Sequence, residues 1–171
     1  MGKKSIKENK NIYFASREEA GLTRAQASEL IGTISESRLE KLETGKTALY
    51  PEDVVDMAAA YKKPELCNYY CTHECRIGKD TDVPEVKVST LSEIVLSMLS
   101  ALNNLNAQQE RLIDITADGI ISDDELPDFV HIQKELDQID QTVESLKVWM
   151  ASTIAEGKIN KDKLDSLQKK A

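Results

Sequence analysis

Three thiols and an imidazole fall within nine residues of this chain. Cys67, Cys71, His73 and Cys75 lie in PELCNYYCTHECRIG, the stretch that holds all three cysteines. Thiolate and imidazole are the donors zinc prefers, and four of them complete its tetrahedral shell. The cysteines stand at i, i+4 and i+8 without a C-x-x-C knuckle, so four ligands from so short a segment converge only with difficulty. Three cysteines also suit an iron–sulfur cluster, and two of them a regulatory disulfide. A reading without chemistry fits as well. In a reducing compartment Cys packs as a small hydrophobe, and Leu66, Tyr69, Tyr70 and Ile77 make this an apolar packing helix.

A second stretch, DITADGIISDDE, invites an ion of another kind. Asp114, Thr116, Asp118, Gly119, Ile120, Ile121, Ser122 and Glu125 match positions 1, 3, 5, 6, 7, 8, 9 and 12 of a calcium-binding EF-hand loop. Thr116 is a weak third-position ligand, and Asp114 must leave the helix to serve. Asp118-Gly119 as a helix stop, with Ser122 and Glu125 as a capping box, accounts for the same residues. Elsewhere there is no glycine-rich phosphate loop and no nucleophile with an evident His partner, and His131 lies beside an apolar seam. The sequence therefore predicts no enzyme and no required cofactor.

The elements that carry these residues are expected to be helices. The chain has only four Pro and seven Gly in 171 residues, and no apolar run approaches the length of a membrane span. With no signal-like segment, a cytoplasmic protein is expected. The net charge of −8 is unevenly spread. Residues 1–63 carry eleven Lys and Arg against ten Asp and Glu, whereas 64–171 carry eleven against twenty. Any contact with a polyanion must come from the front.

That front reads as five short helices. The first surrounds Arg17 and stops at Gly21. Thr23 with Gln26 caps a second, whose apolar face is Ala27, Leu30 and Ile31, and Gly32 ends it. Ser35 caps a third that buries Leu39 and Leu42 and closes at Gly45. Pro51 opens a fourth, burying Val54, Val55, Met57, Ala58 and Tyr61, and Pro64 opens a fifth. Two short helices joined by a Gly-containing turn make a helix-turn-helix.

REEAGLTRAQASELIG followed by SESRLEKLETGKTALYPEDVVDMAAAY resembles the XRE-type, phage-repressor-like helix-turn-helix family over roughly residues 9–63. The Gly-Leu-Thr start and the Leu-Glu-x-Gly-Lys close carry the likeness; the turn after Gly32 is one residue longer than the usual pattern. The resemblance implies an internal ion pair between Arg17 and Glu43. It places Glu36, Ser37 and Lys41 at base edges, and Arg24, Thr44 and Lys46 on phosphates. Arg38, like Lys41, has the chemistry to donate to guanine, and Glu36 to accept from cytosine N4. The implied partner is double-stranded DNA and the implied role a transcriptional regulator. The carboxylates of the third helix leave open a protein-interaction adaptor that no longer binds DNA, and the cysteine stretch leaves open a metal- or redox-responsive regulator sensing through Cys67, Cys71 and Cys75.

The back half is predicted to be a long antiparallel, coiled-coil-like hairpin. One seam is Leu91, Val95, Met98, Leu102, Leu105, Gln109, Leu112 and Thr116; the other is Phe129, Ile132, Leu136, Ile139, Val143, Leu146 and Met150. Ile94, Leu99, Ile113, Val130 and Trp149 lie off these seams, so two hairpins are expected to join as a four-helix bundle in a homodimer. The expected organisation is all-α: residues 1–78 a helix-turn-helix domain with its Cys-containing extension, 79–89 a linker, 90–157 the hairpin and 158–171 a polar tail.

Overall fold

A computed structural model describes residues 11–86, 89–117 and 119–169. The described residues form ten helices and no strand: α1 (Ile12–Glu19), α2 (Arg24–Ile31), α3 (Glu36–Glu43), α4 (Pro51–Tyr61), α5 (Glu65–His73), α6 (Arg76–Asp80), α7 (Leu91–Ala107), α8 (Gln109–Thr116), α9 (Leu126–Ala155) and α10 (Lys161–Gln168). By density of contact the described residues fall into two compact units, one of residues 11–83 with 151–169 and one within 84–150.

In the first unit the short helices are fixed by their ends. Asn11, Thr23 and Ser35 each accept a backbone N–H of the first turn they precede, and Thr23 and Gln26 cap each other reciprocally. α3 ends in a Schellman motif: Lys46 N–H reaches Lys41 O at 2.8 Å and Gly45 N–H reaches Leu42 O at 3.1 Å, with Gly45 at φ +67°. Around them Tyr13, Ala27, Ile34, Leu39, Leu42, Val54, Met57, Ala58, Tyr61 and Leu66 form one buried core, with Cys67, Tyr69 and Tyr70 packed against it. The longer turn between α2 and α3 is absorbed by that core. Ile34 is buried, and Ser28 Oγ donates to Ile34 O at 2.8 Å. Leu30, Val55 and Ile77, expected inside, are 60%, 57% and 74% exposed. The eight residues of α2 bury Ala27, so the helix sits close to its neighbours on a small side chain and turns Leu30 out.

The second unit contains an antiparallel pair, α7 and α8 against the 126–150 part of α9. Arg111 Nε donates to Asp128 Oδ2 at 2.6 Å, Asn104 Nδ2 to Glu135 Oε2 at 3.2 Å, and Gln138 Nε2 to Ser97 Oγ at 3.4 Å. The pair is antiparallel as expected, but its first helix is broken at Gln108 into α7 and α8, and the inner stripes are rotated. Ile94, Ala101 and Ile115 are buried, with Met98, Leu105, Gln108 and Leu112 half-buried between them. Val95 and Leu102, assigned to the seam, are exposed, and Ile94, assigned outside it, is buried. In α9 Ile132 and Thr142 are buried while Leu136 is 48% exposed. Met98, Leu105 and Leu112 belong to both stripes. Because α7 is apolar on either side of them, the heptad spacing alone does not choose which flank turns inward.

Candidate nucleic-acid interface

α3 is anchored by Leu39, Leu42 and Glu43, all buried, and this leaves Glu36, Ser37, Glu40 and Lys41 exposed along its other side. Thr44 caps its end, where Thr44 Oγ1 donates to Glu40 O at 2.7 Å, and the Schellman turn holds the exposed Lys46 just beyond. Asn11 Nδ2 donates to Leu42 O at 2.8 Å, which ties the start of α1 to the last turn of α3.

Glu43 is the electrostatic centre. Its carboxylate accepts from Arg17 Nε at 2.5 Å and Arg17 Nη2 at 2.9 Å, and from Arg24 Nε at 2.8 Å. Arg17 also donates to Leu22 O at 2.7 Å. Both guanidinium carbons lie over the ring of Phe14, at 4.9 Å for Arg17 and 5.7 Å for Arg24. Its hydrogen bonds to Glu43 raise the pKa of Arg17 above the ordinary guanidinium value. The implied pair is thus a triad, and two cations around one carboxylate leave a net positive charge. The Arg24 side chain is 30% exposed at the first residue of α2, so this excess lies at the surface.

Arg38 is also committed. Its Nη2 meets Asp53 Oδ2 at 2.7 Å, and its guanidinium carbon lies 5.9 Å from the centroid of the Tyr50 ring. Asp53 further accepts the Tyr50 N–H at 3.1 Å, so one carboxylate caps α4 and holds α3 to it. Sequence reasoning missed this role, as it did that of Phe14. The signal for Asp53 was its position three residues after Tyr50, at the third residue of a proline-started helix. Glu36, Ser37, Lys41 and Lys46 are the expected contact residues left outward, with Arg24 and Arg38 engaged at the edges.

The cysteine stretch is built into the same unit. Cys67, Cys71 and Cys75 are half-buried and in no disulfide, and burial pushes the Cys67 thiol up. Cys75 has left the helix of the other two and precedes α6. His73 is exposed, stacked on Tyr69 with centroids 4.2 Å apart. Among the described residues no three His, Cys, Asp or Glu side chains are grouped to hold a metal. Gly78 packs on the backbone of Cys71 so closely that an added Cβ would stand 2.1 Å from its carbonyl oxygen.

The acidic turn takes a form different from a calcium loop. Asp114 and Thr116 are in α8, and Thr116 Oγ1 donates back to Leu112 O at 2.9 Å. Gly119 has φ +73°, and Glu125 accepts from Ser122 N at 3.0 Å and Ser122 Oγ at 2.6 Å. Ile120 is exposed, and Asp118 lies outside the described residues. These are the contacts of a helix stop and of the carboxylate half of a capping box, the Glu125 N–H going to Ser122 O at 3.0 Å.

Residues 15–72 match the model of a helix-turn-helix domain family. No curated protein and no solved structure matches the chain. No described helix is long and apolar enough to cross a membrane. The match spans α2 and α3, the Glu43 triad and most of α5, and the front of this chain is a helix-turn-helix domain.

Proposed function

We propose that the protein is a sequence-specific DNA-binding transcriptional regulator that acts as a dimer. The observation that carries this reading is the sorting of carboxylates on α3. Glu43 is turned inward and neutralised twice over, so it does not meet a polyanion. Ser37 and Lys41 are then free to reach base edges, with Glu36 accepting from cytosine N4. Lys46, Thr44 and the surface-lying Arg24 lie beside them as phosphate contacts. Arg38, held by Asp53, positions α3 and reaches DNA only by exchanging that partner.

The test is binding to fragments of the gene's own upstream DNA at two salt concentrations. Lys41→Ala and Lys46→Ala are the informative variants, because neither disturbs the Glu43 triad. Saturable binding that weakens steeply with salt is expected, and Lys46→Ala should lower the salt slope by roughly 0.9. Lys41→Ala should also relax sequence preference. Glu36 and Glu40 on the outer face favour a second reading, an adaptor whose α3 faces protein. Failure to bind any fragment above random DNA at low salt would select it.

A further inference from the structure

The hairpin has two unlike flanks. The side chains that join α7 and α8 to α9, namely Ser97, Asn104 and Arg111 with Gln138, Glu135 and Asp128, lie to one side of the buried stripe. At 100° per residue, Leu91, Val95, Leu99 and Leu102 fall on the other side, and Leu136 of α9 follows them there. They are 39%, 41%, 51%, 39% and 48% exposed. From Ile94 to Gln109 the chain carries no charged residue, although residues 84–150 hold thirteen Asp and Glu against four Lys and Arg. The one charged residue of α7, Glu93, lies on the opposite flank, and an uncharged flank with four exposed large aliphatics is a face to be covered.

We infer that this flank of α7 is the interface with a second copy of the chain, α7 lying antiparallel against α7 about a two-fold axis. Two features select a second copy. The stripe is self-complementary when reversed: Leu91 of one copy meets Leu102 of the other, and Val95 meets Leu99, which is what an isologous contact requires. Charge points the same way. A unit with nine excess acids repels its own kind, and this flank of α7 is where neutral surface can meet neutral surface. A basic partner would gain nothing from this flank of α7. The inference deepens the dimeric regulator proposed above and rests on that reading for its biological use, but not for its geometry.

The mass of the full-length protein in solution, by sedimentation over a range of concentrations without DNA, tests it. Wild type is expected at twice the chain mass. Leu99→Glu places a charge in the interface and should weaken association by about 100-fold while leaving helicity unchanged. Ser100→Glu adds the same charge one residue on, on the other flank, and should remain dimeric. Leu102→Gln, milder and half exposed in the single chain, should weaken association as well. A wild-type monomer, or variants at 99 and 100 that behave alike, would overturn the interface. DNA binding measured in parallel separates the two proposals: a monomer that still binds its site leaves the regulator standing, and a dimer that binds none leaves the interface standing.

Discussion

In the helix-turn-helix unit Tyr13, Ile34, Leu39, Leu42, Met57 and Leu66 are each at most 1% exposed, and the buried charges among them are paired. Among the described residues of the hairpin only Ile94, Ala101, Ile115 and Ile132 are buried hydrophobics, while Leu91, Val95, Leu96, Leu99, Leu102 and Leu136 stay in solvent. The two regions have similar helical patterning and opposite degrees of completion. The first closes its interior within one chain. The second spreads comparable apolar content around a helix pair that covers part of it, which is the condition under which association stabilises more than folding alone.

The comparison breaks most sharply at Arg17. Removing this side chain leaves Glu43 buried with Arg24 as its remaining cation, and a buried ion pair broken from one side costs roughly 3–5 kcal/mol. Arg17→Ala should therefore unfold the front unit near ambient temperature, seen as loss of cooperative urea unfolding. The double change Arg17→Met with Glu43→Leu removes both charges and should recover much of that loss. If Arg17→Ala unfolds no more readily than wild type, the front unit is not completed by its polar centre, and the contrast with the hairpin fails.

Alkaline pH gives the next largest effect. Burial first, then the nearby Glu43 carboxylate, pushes Tyr61 up to about 12 from the ordinary tyrosine value. Its hydroxyl is buried with no hydrogen-bond partner among the described residues. The folded state thus holds the proton more tightly than the unfolded chain. Stability from this group is complete below pH 10 and is lost as the pH rises from 10 to 12, by about 3 kcal/mol. The Tyr13 hydroxyl is shifted the same way by burial and by Glu74, so it adds to the loss. Tyr61→Phe should flatten this part of the pH profile and be neutral or stabilising at pH 7, because it removes an unsatisfied buried hydroxyl. The hairpin contains no tyrosine and should show no such alkaline transition.

Much of this division is legible from sequence, for a physical reason. Caps and stops are local: Thr23, Ser35, Thr90, Gly21, Gly32 and Gly45 each act on backbone within a few residues, so their types announce helix ends. The helix-turn-helix spacing followed from them. What did not follow were choices made through space. The heptads admit two adjacent stripes in α7, and contacts with α9 selected the one through Ile94 and Ala101. Arg24 and Arg38 read as cations for DNA, yet each is engaged by a carboxylate 15 or 19 residues away in sequence. Asp53 looked like one more acid at a helix start until the fold brought Arg38 to it.

The smallest effect tests whether one chemical deletion means the same thing in both regions. Thr23 and Thr90 make the same capping box, but Thr23 pairs with the neutral Gln26 and Thr90 with Glu93, whose carboxylate accepts the Thr90 N–H and hydroxyl, both at 2.8 Å. Replacing Thr23 by Ala should cost about 1 kcal/mol at any acidic or neutral pH, since nothing in that box titrates. The Thr90 backbone bond, then its hydroxyl, holds Glu93 below the ordinary carboxylate value. Stability from a depressed carboxyl is present above its unfolded value and disappears as the pH falls through its folded one. Thr90→Ala should therefore loosen the first turn of α7 at neutral pH and do so less and less in acid. Amide exchange at Glu93 and Ile94, against Gln26 and Ala27, reads the two cases residue by residue. Equal pH dependence at both helix starts would mean that the start of α7 is held by its packing and not by its cap, and the hairpin would then be more nearly complete in one chain than its exposed leucines indicate.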